Sequence, residues 1–534
     1  MKAYLLHDGK DFNWGRDEFW NERTLVQDLE LNTLYGTMAA GDKYLFDVVK
    51  NVLPVSLTDI DDILYRQAVL QDCIAHEDIV RQAYAIAIEA LEAERNSFYW
   101  GVTSSPNGIL HGARDQVQQF SGMLVRLRRL AEDNAGQFES AGFRRFFSML
   151  QEELSDEYLT TVSACLKELK FNRGVLISAS PGRGNKGEHY VLRKPAERDP
   201  NFLRRVFAKR PPSRTFRIAD RDENGARALS ELEARGINHV ANALAQSADH
   251  IKSFFTMLRA ELGFYLGCAN LRVELVRRGM SVCFPVPHAV GERRLRFRGL
   301  YDASLALRLG QPPVSNDADA NGKDLIVVTG ANQGGKSTFL RGAGIAHVLM
   351  QAGVFVGATE FQANIAQAIF THYKREEDAS MTGGKFDEEL RRMSEIADHM
   401  VEHALFLSNE SFASTNEREG SDVGRQIVDA LLEHRVKVFI VTHLYSLARG
   451  LYDEGSFPAI FLRAERREDG VRTFKVIEAE PLQTSFGQDL YRQIFGRDAM
   501  QETLVTASPR AALAPGIPEG APFGPGEQQN VDGR

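Results

Sequence analysis

The sequence predicts a multi-domain protein in which an α-helical part precedes an α/β part. Between about residues 32 and 170, apolar residues recur at spacings of three and four, as in Ile60, Ile63 and Leu64, which is the helical period. From residue 324 to about residue 500, short apolar runs alternate with helix-like segments, as expected for a sheet covered by helices. The length of 534 residues suffices for two to four domains.

Domain boundaries are expected where the pattern changes. The sequence predicts an N-terminal extension over 1–31, a helical domain over 32–310, an α/β domain over 311–505 and a tail over 506–534. The tail is predicted to be disordered because residues 509–534 contain five Pro and five Gly.

Composition and charge exclude several classes of protein. The hydrophobic fraction of 43% and the charged fraction of 25% are typical of globular proteins in water. No apolar run approaches the ~20 residues that cross a bilayer, and the first residues lack the apolar core of a signal peptide. The four cysteines form no C-x-x-C pair, so neither zinc nor disulfides are expected. We therefore expect a cytoplasmic protein without membrane association.

The helical part contains one very long helical pattern, at residues 224–278, with an interruption near Gly236. Some fifty residues exceed a typical globular helix, so the pattern predicts a lever or a packed helical stalk. Further helical segments are predicted over 75–98 and 112–170, with a turn at 105–108 between them.

A basic hairpin is predicted within residues 171–217. Two strand-like runs, 174–180 and 189–194, flank the turn-rich segment 181–187. The whole region holds twelve Lys or Arg against three Asp or Glu, in a chain of net charge −8. Such a patch can contact nucleic-acid phosphates, or it can be a solvated charge run on a connector. The candidate contacts are Arg183, Lys186, Arg193, Lys194, Arg204, Arg205, Lys209 and Arg210.

The clearest chemical motif lies at residues 330–337, which read G-x-x-x-x-G-K-S after an apolar run and before a helix-like segment. In this P-loop pattern, backbone amides surround a triphosphate, Lys336 reaches the β- and γ-phosphates, and the Ser337 oxygen binds Mg²⁺. The sequence therefore predicts a nucleoside triphosphate site. The residues expected to surround the nucleotide are Gly330, Asn332, Gly334, Gly335, Lys336, Ser337 and Thr338.

Two further apolar runs end in polar residues that suit this chemistry. Residues 404–408 lead into Asn409 and Glu410, where Asn409 is a candidate Mg²⁺ ligand and Glu410 a candidate general base. The alternative for Glu410 is a surface residue after a core strand. The run 438–441 leads into His443, at the sheet end where ligands of α/β folds bind. His443 is a candidate for sensing the γ-phosphate and orienting water, although a lone His is often incidental.

A second anion-binding candidate precedes a predicted helix at residues 386–403. Thr382 and Gly383 offer a hydroxyl and backbone amides at the start of that helix. The alternative is an ordinary N-cap and turn. If the motif binds anions, it suits ATPases that hold a nucleotide between two subunits, because it would then contact the partner's γ-phosphate.

Together these motifs resemble the MutS family of DNA repair and recombination-related ATPases. The stretch 329–338, T-G-A-N-Q-G-G-K-S-T, is similar to the family's T-G-P-N-M-G-G-K-S-T, and 441–443 resembles its A-T-H. The resemblance implies that the helical part is a core and lever, and that the α/β part is an ABC-type P-loop ATPase domain. It also implies ATP and Mg²⁺ as cofactors, a homodimer with composite sites, and DNA as a partner.

The chain departs from the family pattern at several points. About thirty residues precede the core, whereas the family's mismatch-reading domain needs over a hundred, so mismatch recognition is not expected. Gly384 stands at the position of the family's signature Ser, and Asn409 replaces its Asp. A nuclease motif of the form L-D-L-H-G does not follow the ATPase region.

We therefore expect a homodimeric MutS-like ATPase that binds branched or distorted DNA, with possible repair or recombination proteins as further partners. The alternative is an ATP-gated scaffold that engages a protein partner with little or no hydrolysis. The nucleotide subunit of an ABC transporter fits poorly, because no membrane segment is predicted and the P-loop follows some 320 residues, most of them helical, instead of lying near the start.

Overall fold

Two hydrophobic cores organise the fold, one on each face of a central parallel sheet. The computed structural model describes residues 1–98, 105–172, 174–194, 214–375, 384–467 and 472–483. Residues Met1–Thr484 form one compact unit. The larger core joins the helical part to one face of the sheet, and the smaller core fills the opposite face.

The described residues form fourteen α-helices, numbered here α1 to α14. The first eight belong to the helical part: Glu22–Asp28, Leu31–Ala39, Lys43–Val52, Ile60–Ala75, Glu77–Phe98, Pro106–Asn134, Ala141–Glu153 and Asp156–Glu168. The remaining six are Glu223–Arg277, Ala303–Leu309, Lys336–Gln351, Lys385–Asp398, Glu417–Glu433 and Tyr445–Glu454. Short 3-10 turns lie at Ala135–Gln137, Arg183–Asn185 and Val290–Glu292.

Twelve strands, β1 to β12, form three sheets within the described residues. Their bounds are Ile177–Pro181, Gly187–Leu192, Val286–His288, Leu295–Leu300, Asn316–Asp319, Leu325–Thr329, Glu360–Asn364, Ile369–Tyr373, Leu405–Asn409, Lys437–Val441, Ala459–Arg466 and Arg472–Glu478. The strand orders are β1-β2, β3-β7-β4-β5 and β12-β11-β6-β10-β9-β8. In the last sheet only β12 is antiparallel to its neighbour.

The central strands are continuous apolar runs because both faces of the sheet are covered. In β6, successive side chains point to opposite faces. Leu325 and Val327 therefore lie in the smaller core, and Ile326 and Val328 lie in the larger one. Parallel pairing of β6, β10 and β9 brings the carboxyl ends of these strands to one edge of the sheet.

The long helical pattern is a single helix of 55 residues, α9 (Glu223–Arg277). The interruption expected near Gly236 does not occur. Gly236 is buried within the helix, where an added Cβ would lie 2.4 Å from Cδ1 of Ile177 on the basic hairpin. Glycine at this position permits a close approach between helix and hairpin instead of ending the helix.

The turn expected at residues 105–108 is instead the first turn of α6. Ser105 caps this helix, because its hydroxyl accepts a hydrogen bond from the Gly108 amide at 3.2 Å. Pro106 occupies the first helical position, where its missing N–H costs nothing. Helix α10 (Ala303–Leu309) lies between β4 and β5, and Asp302 caps it by accepting from the Leu305 amide.

The N-terminal residues pack against both parts of the unit. Leu5 and Leu6 are buried in the larger core, and α1 packs beside the edge strand β8. The domain boundaries given above stay predictions. No helix in the described residues has the length and apolar character needed to span a membrane.

Candidate functional site

The candidate site lies where three parallel strands end side by side. Val441 of β10 pairs with Val328 of β6 and with Asn409 of β9, so these strands end level with one another. The P-loop follows β6, Glu410 follows β9, and His443 comes two residues after β10. The structure thus brings together three motifs that are far apart in sequence, at the edge where ligands of open α/β sheets bind.

Glycines give the P-loop its path. Gly330 and Gly335 have φ values of +113° and +93°, which side chains with a Cβ rarely adopt. A Cβ on Gly330 would also lie 3.0 Å from the Ala464 amide nitrogen on β11. Gly335 caps helix α11, which begins at Lys336. The positive end of the helix dipole therefore faces the loop, as an anion site requires.

Lys336 is held inside this loop, with 4% of its surface exposed. Its Nζ donates hydrogen bonds to the carbonyl oxygens of Gly330 at 3.1 Å and Ala331 at 3.2 Å, and lies 3.9 Å from Oε1 of Glu410. Burial lowers the pKa of Lys336, and the Glu410 carboxylate opposes that change. Carbonyl dipoles thus hold a cation at the place where phosphate oxygens would bind.

The two predicted metal ligands are direct neighbours. Ser337 Oγ donates a hydrogen bond of 2.9 Å to Oδ1 of Asn409. Two neutral oxygens at this spacing fit Mg²⁺, which takes one or two protein ligands and completes its shell with water and phosphate oxygens. Among the described residues, no group of three or more His, Cys, Asp or Glu side chains could hold a metal ion. A metal ion bound by Ser337 and Asn409 would thus meet two neutral oxygens, without a charge from either side chain.

Glu410 lies between the lysine and the histidine. Its amide donates a hydrogen bond to the Val441 carbonyl at 2.8 Å, and its backbone is left-handed, with φ +53°. This strained conformation turns the carboxylate toward the P-loop. Oε2 of Glu410 lies 4.0 Å from Nδ1 of His443, and the two residues are 28% and 40% exposed. The carboxylate is accessible to water and is placed to accept a proton from it.

A cavity of about 430 Å³ opens beside the P-loop. Its lining includes the polar side chains of Lys336, Ser337 and Glu410 together with a set of apolar ones. The apolar lining residues are Tyr301, Leu305, Leu309, Pro312, Pro313, Val314 and Phe474. A lining that combines a cationic side chain with apolar ones suits a nucleotide, whose base is flat and whose phosphates are charged.

These apolar lining residues could not be predicted from the sequence, because residues 301–314 carry no nucleotide motif. Phe474 on β12 gives a structural signal, since its φ is +60° although it is not glycine and it lies 48% exposed at the cavity. Its neighbour on the same strand, Arg472, donates a hydrogen bond of 2.8 Å to Gln333 of the P-loop. The β11–β12 hairpin therefore packs against the P-loop, through Arg472 at Gln333 and through Phe474 at Gly335.

The remaining predicted nucleotide-site residues divide into two groups. Asn332, Gly334 and Thr338 lie in the P-loop or the first turn of α11, and Thr338 lines the cavity. Thr382 and Gly383 lie outside the described residues; the next residue, Gly384, precedes helix α12 (Lys385–Asp398). Gly334 approaches the sheet closely, because an added Cβ would lie 2.9 Å from Cβ of Ala464.

The predicted basic hairpin is present as β1 and β2, paired antiparallel. Arg183, Lys186, Arg193 and Lys194 are exposed on it. Arg193 donates a hydrogen bond to Ser178 at 2.8 Å, and Lys194 pairs with Glu168 at 2.8 Å. The other four predicted contacts lie outside the described residues; they are Arg204, Arg205, Lys209 and Arg210.

Comparison with known proteins identifies two matching family models. The model for the MutS2 N-terminal domain matches residues 58–278, and the model for MutS domain V matches residues 326–496. The first therefore covers most of the helical part, and the second covers the central sheet from β6 onward together with the P-loop.

Individual relatives agree with these matches. A DNA mismatch repair protein MutS from Parabacteroides distasonis is 30% identical over 146 residues, which is 26% of this chain and 17% of that protein. Endonuclease MutS2 from Thermus thermophilus is 30% identical over 123 residues, or 23% of this chain and 16% of that protein. A DNA mismatch repair protein MutS from Chloroflexus aurantiacus is 25% identical over 226 residues, which is 41% of this chain and 23% of that protein. The matches span less than a quarter of each relative.

The family models match the helical and the α/β parts separately, in the order in which the two parts occur here. The motif resemblance drawn from the P-loop and its neighbours is thereby confirmed. The chain belongs to the MutS family.

Proposed function

We propose that this chain is a DNA-binding ATPase that binds ATP with Mg²⁺ and works as a homodimer. One observation carries the proposal: Lys336, Ser337 and Glu410 line one cavity together with apolar side chains, and Ser337 is hydrogen-bonded to Asn409. This arrangement supplies a cation for phosphate, oxygens for a metal ion and a carboxylate for water.

Each polar side chain of the site has a separate role. Lys336 and the amino-terminal end of α11 stabilise negative charge on the phosphates. Ser337 and Asn409 would hold Mg²⁺, which, when bound, neutralises charge on the phosphate oxygens. Glu410 accepts a proton from the attacking water, and His443, 4.0 Å from the Glu410 carboxylate, orients that water. The apolar lining residues, Phe474 among them, would receive the base.

ATP-dependent closure of two subunits is the mechanical part of the proposal. Thr382 and Gly383 of one subunit would complete the site of the other. Closure would then tilt α9, because its carboxyl-terminal half is buried among the helices that adjoin the ATPase domain. ATP favours the closed dimer only to the extent that it binds that state more tightly.

DNA is the proposed target because the matched relatives carry the names DNA mismatch repair protein and endonuclease. The exposed basic hairpin gives this chain a surface for phosphates. It packs on α9 at Gly236, so DNA contact and helix movement would be coupled. We propose branched or distorted DNA, read by its shape, as the preferred form. The cytoplasmic location and repair or recombination partners stay predictions.

ATP hydrolysis by the purified protein tests the proposal. Turnover is measured alone and with homoduplex, mismatched and four-way-junction DNA at equal nucleotide concentration. We expect stimulation by the junction, and loss of turnover and of ATP binding in Lys336→Ala. Lys43→Ala, at an exposed helical lysine that pairs with Asp47, is the matched control and should behave as the wild type. Full activity in Lys336→Ala would refute the site assignment.

A second candidate function is an ATP-gated scaffold for a protein partner, with little or no hydrolysis. Asn409 favours it, because a neutral amide stands beside Ser337 and adds no charge for the metal. Tight ATP binding without turnover, unaffected by every DNA in the panel, would support the scaffold over the ATPase.

A further inference from the structure

The connector between α1 and α2 carries a residue in a costly backbone conformation. Glu30 has φ +52° and ψ +38°, in the left-handed region, although it is not glycine. Such a conformation persists only where surrounding contacts hold it. The contacts of Glu30 reach two elements of the nucleotide cavity, which lie some three hundred residues later in the chain.

The Glu30 carboxylate binds two arginines. It accepts a hydrogen bond from Nη1 of Arg341 on α11, the helix that begins at the P-loop lysine. It also pairs with Nη2 of Arg308 on α10 at 2.9 Å. The Glu30 carbonyl oxygen accepts a hydrogen bond of 3.2 Å from Ser304, also on α10.

Asp302 completes this cluster from inside the cavity wall. Its side chain is fully buried, and its Oδ2 accepts a hydrogen bond of 2.6 Å from Nε of Arg341 and forms an ion pair with Nη2 of the same residue at 2.6 Å. It also caps α10, by accepting from the Leu305 amide at 3.0 Å. Asp302 and Leu305 both line the cavity. One arginine of the P-loop helix is therefore bound to the cavity wall and to the N-terminal connector at once.

The cavity-lining residues Tyr301 and Asp302 pack directly on the P-loop helix at Gly342. A Cβ on Gly342 would lie 3.2 Å from the Asp302 amide nitrogen and the Tyr301 carbonyl carbon. Because both helices contribute to the lining, the width of the cavity depends on how α10 packs on α11. Glu30 binds a side chain from each of these two helices without itself lining the cavity.

We propose that Glu30 is a positioning residue for the nucleotide cavity, so that the N-terminal connector is part of the nucleotide site. The inference rests on the proposed function. Glu30 sets the position of α10 against α11, and through it the width of the cavity between Leu305 and the P-loop. Loss of its charge frees Arg308 and leaves Arg341 held by Asp302 alone.

The test compares Glu30→Gln with Glu18→Gln. Glu18 lies in the same N-terminal region and pairs with Arg23 and Lys50, but these partners belong to neither α10 nor α11. Binding of a fluorescent ATP analogue is measured by titration. We expect about tenfold weaker binding in Glu30→Gln, as for loss of charge-assisted hydrogen bonds, and wild-type affinity in Glu18→Gln. Glu30→Gly, which suits the left-handed backbone, should weaken binding equally.

Hydrogen exchange of the nucleotide-free protein supplies a second readout that needs no ligand. Glu30→Gln should raise exchange of the amides in residues 303–316, while exchange in β9 and β10 stays unchanged. Wild-type affinity in Glu30→Gln, or unchanged exchange over 303–316, would overturn the inference. If the wild-type protein itself bound no nucleotide, the proposed function would fail instead, a result that the Glu30 variants do not produce.

Discussion

Ser337 Oγ donates a hydrogen bond of 2.9 Å to Oδ1 of Asn409, across the ends of two strands that are not direct neighbours in the sheet. This pair places the side-chain oxygen of the P-loop serine opposite an amide, where the motif resemblance implies an aspartate. If the pair binds Mg²⁺ as proposed, it supplies one negative charge less than that aspartate would provide. The consequence can be measured directly.

Asn409→Asp should strengthen Mg²⁺ binding and raise turnover. The added charge lies beside Ser337, so we expect the Mg²⁺ concentration for half-maximal hydrolysis to fall by about three- to tenfold. Asn224→Asp is the matched control, because Asn224 is exposed in the first turn of α9 and its Oδ1 accepts a hydrogen bond from Arg227, which a carboxylate also accepts. An unchanged Mg²⁺ dependence in Asn409→Asp would mean that Asn409 does not face the metal.

Glu410→Gln should retain ATP binding and lose hydrolysis. The amide keeps the size of the side chain but cannot accept a proton from water, so turnover should fall by about 10²- to 10⁴-fold. Nucleotide affinity and turnover are measured on the same preparation. Glu433→Gln, at the exposed carboxyl-terminal end of α13, serves as the control. Turnover near the wild-type value would show that Glu410 is a surface residue and not the base.

The basic hairpin should contribute to the salt dependence of DNA binding. If Arg183 and Lys186 contact phosphates, their joint replacement by Ala should weaken binding to all sequences alike. The slope of log affinity against log salt should also become shallower by about 2. Arg23 and Lys43 are 89% and 88% exposed elsewhere, and their joint replacement is the control. An unchanged slope would indicate that the hairpin charges are only solvated.

Glu261 should make the stability of the protein depend on pH. This residue of α9 is buried; its Oε2 accepts from the Leu5 amide at 2.6 Å, and its Oε1 has no hydrogen-bond partner. Burial raises the pKa of Glu261 to about 7, with the Leu5 amide lowering it and Asp11 raising it. The folded state therefore favours the protonated acid. Its stabilisation is complete below the unfolded pKa of about 4.5 and is lost as pH rises toward 7.

The free energy of unfolding of wild type and Glu261→Gln, measured with a chemical denaturant between pH 4.5 and 7, tests this pH dependence. The free energy of unfolding of the wild type, relative to the variant, should fall with rising pH by up to ~1.4 kcal/mol per pH unit. Glu231→Gln, exposed on the same helix, should leave the difference from wild type constant. A constant difference for Glu261→Gln as well would show that Glu261 stays ionised in the folded protein.

The polar residues of the site could be predicted from sequence because each of them belongs to a short motif of consecutive residues. The glycines and Lys336 lie in one loop, and Glu410 and His443 follow apolar runs that are recognisable as strands. Parallel strands end at a common edge, so local motifs become neighbours without knowledge of the tertiary fold. The long helix was predicted for a similar reason, since its period persists for 55 residues.

The apolar lining residues of the cavity and the N-terminal connector could not be predicted from short motifs. The contact between Glu30 and Arg341 joins positions 311 residues apart, and neither position belongs to a motif. The N-terminal residues show no regular spacing of apolar side chains, because they pack against two different surfaces, one on α9 and one on β8. Tyr265 of α9 donates to the Leu5 carbonyl at 2.6 Å, whereas Asn21 donates to the Ile369 carbonyl of β8 at 2.9 Å. Periodicity reports only a segment with one buried face.

Because α9 continues through Gly236 without a break, it is long enough for a small tilt at one end to move the other end by several ångströms. At 1.5 Å per residue, Glu223–Arg277 is roughly 80 Å long. The hairpin packs on α9 at Gly236, roughly 60 Å from the carboxyl-terminal end of the helix, so a tilt of about five degrees at that end would move this contact by roughly 5 Å. If the hairpin contacts DNA as proposed, a movement of that size would change which phosphates it can reach.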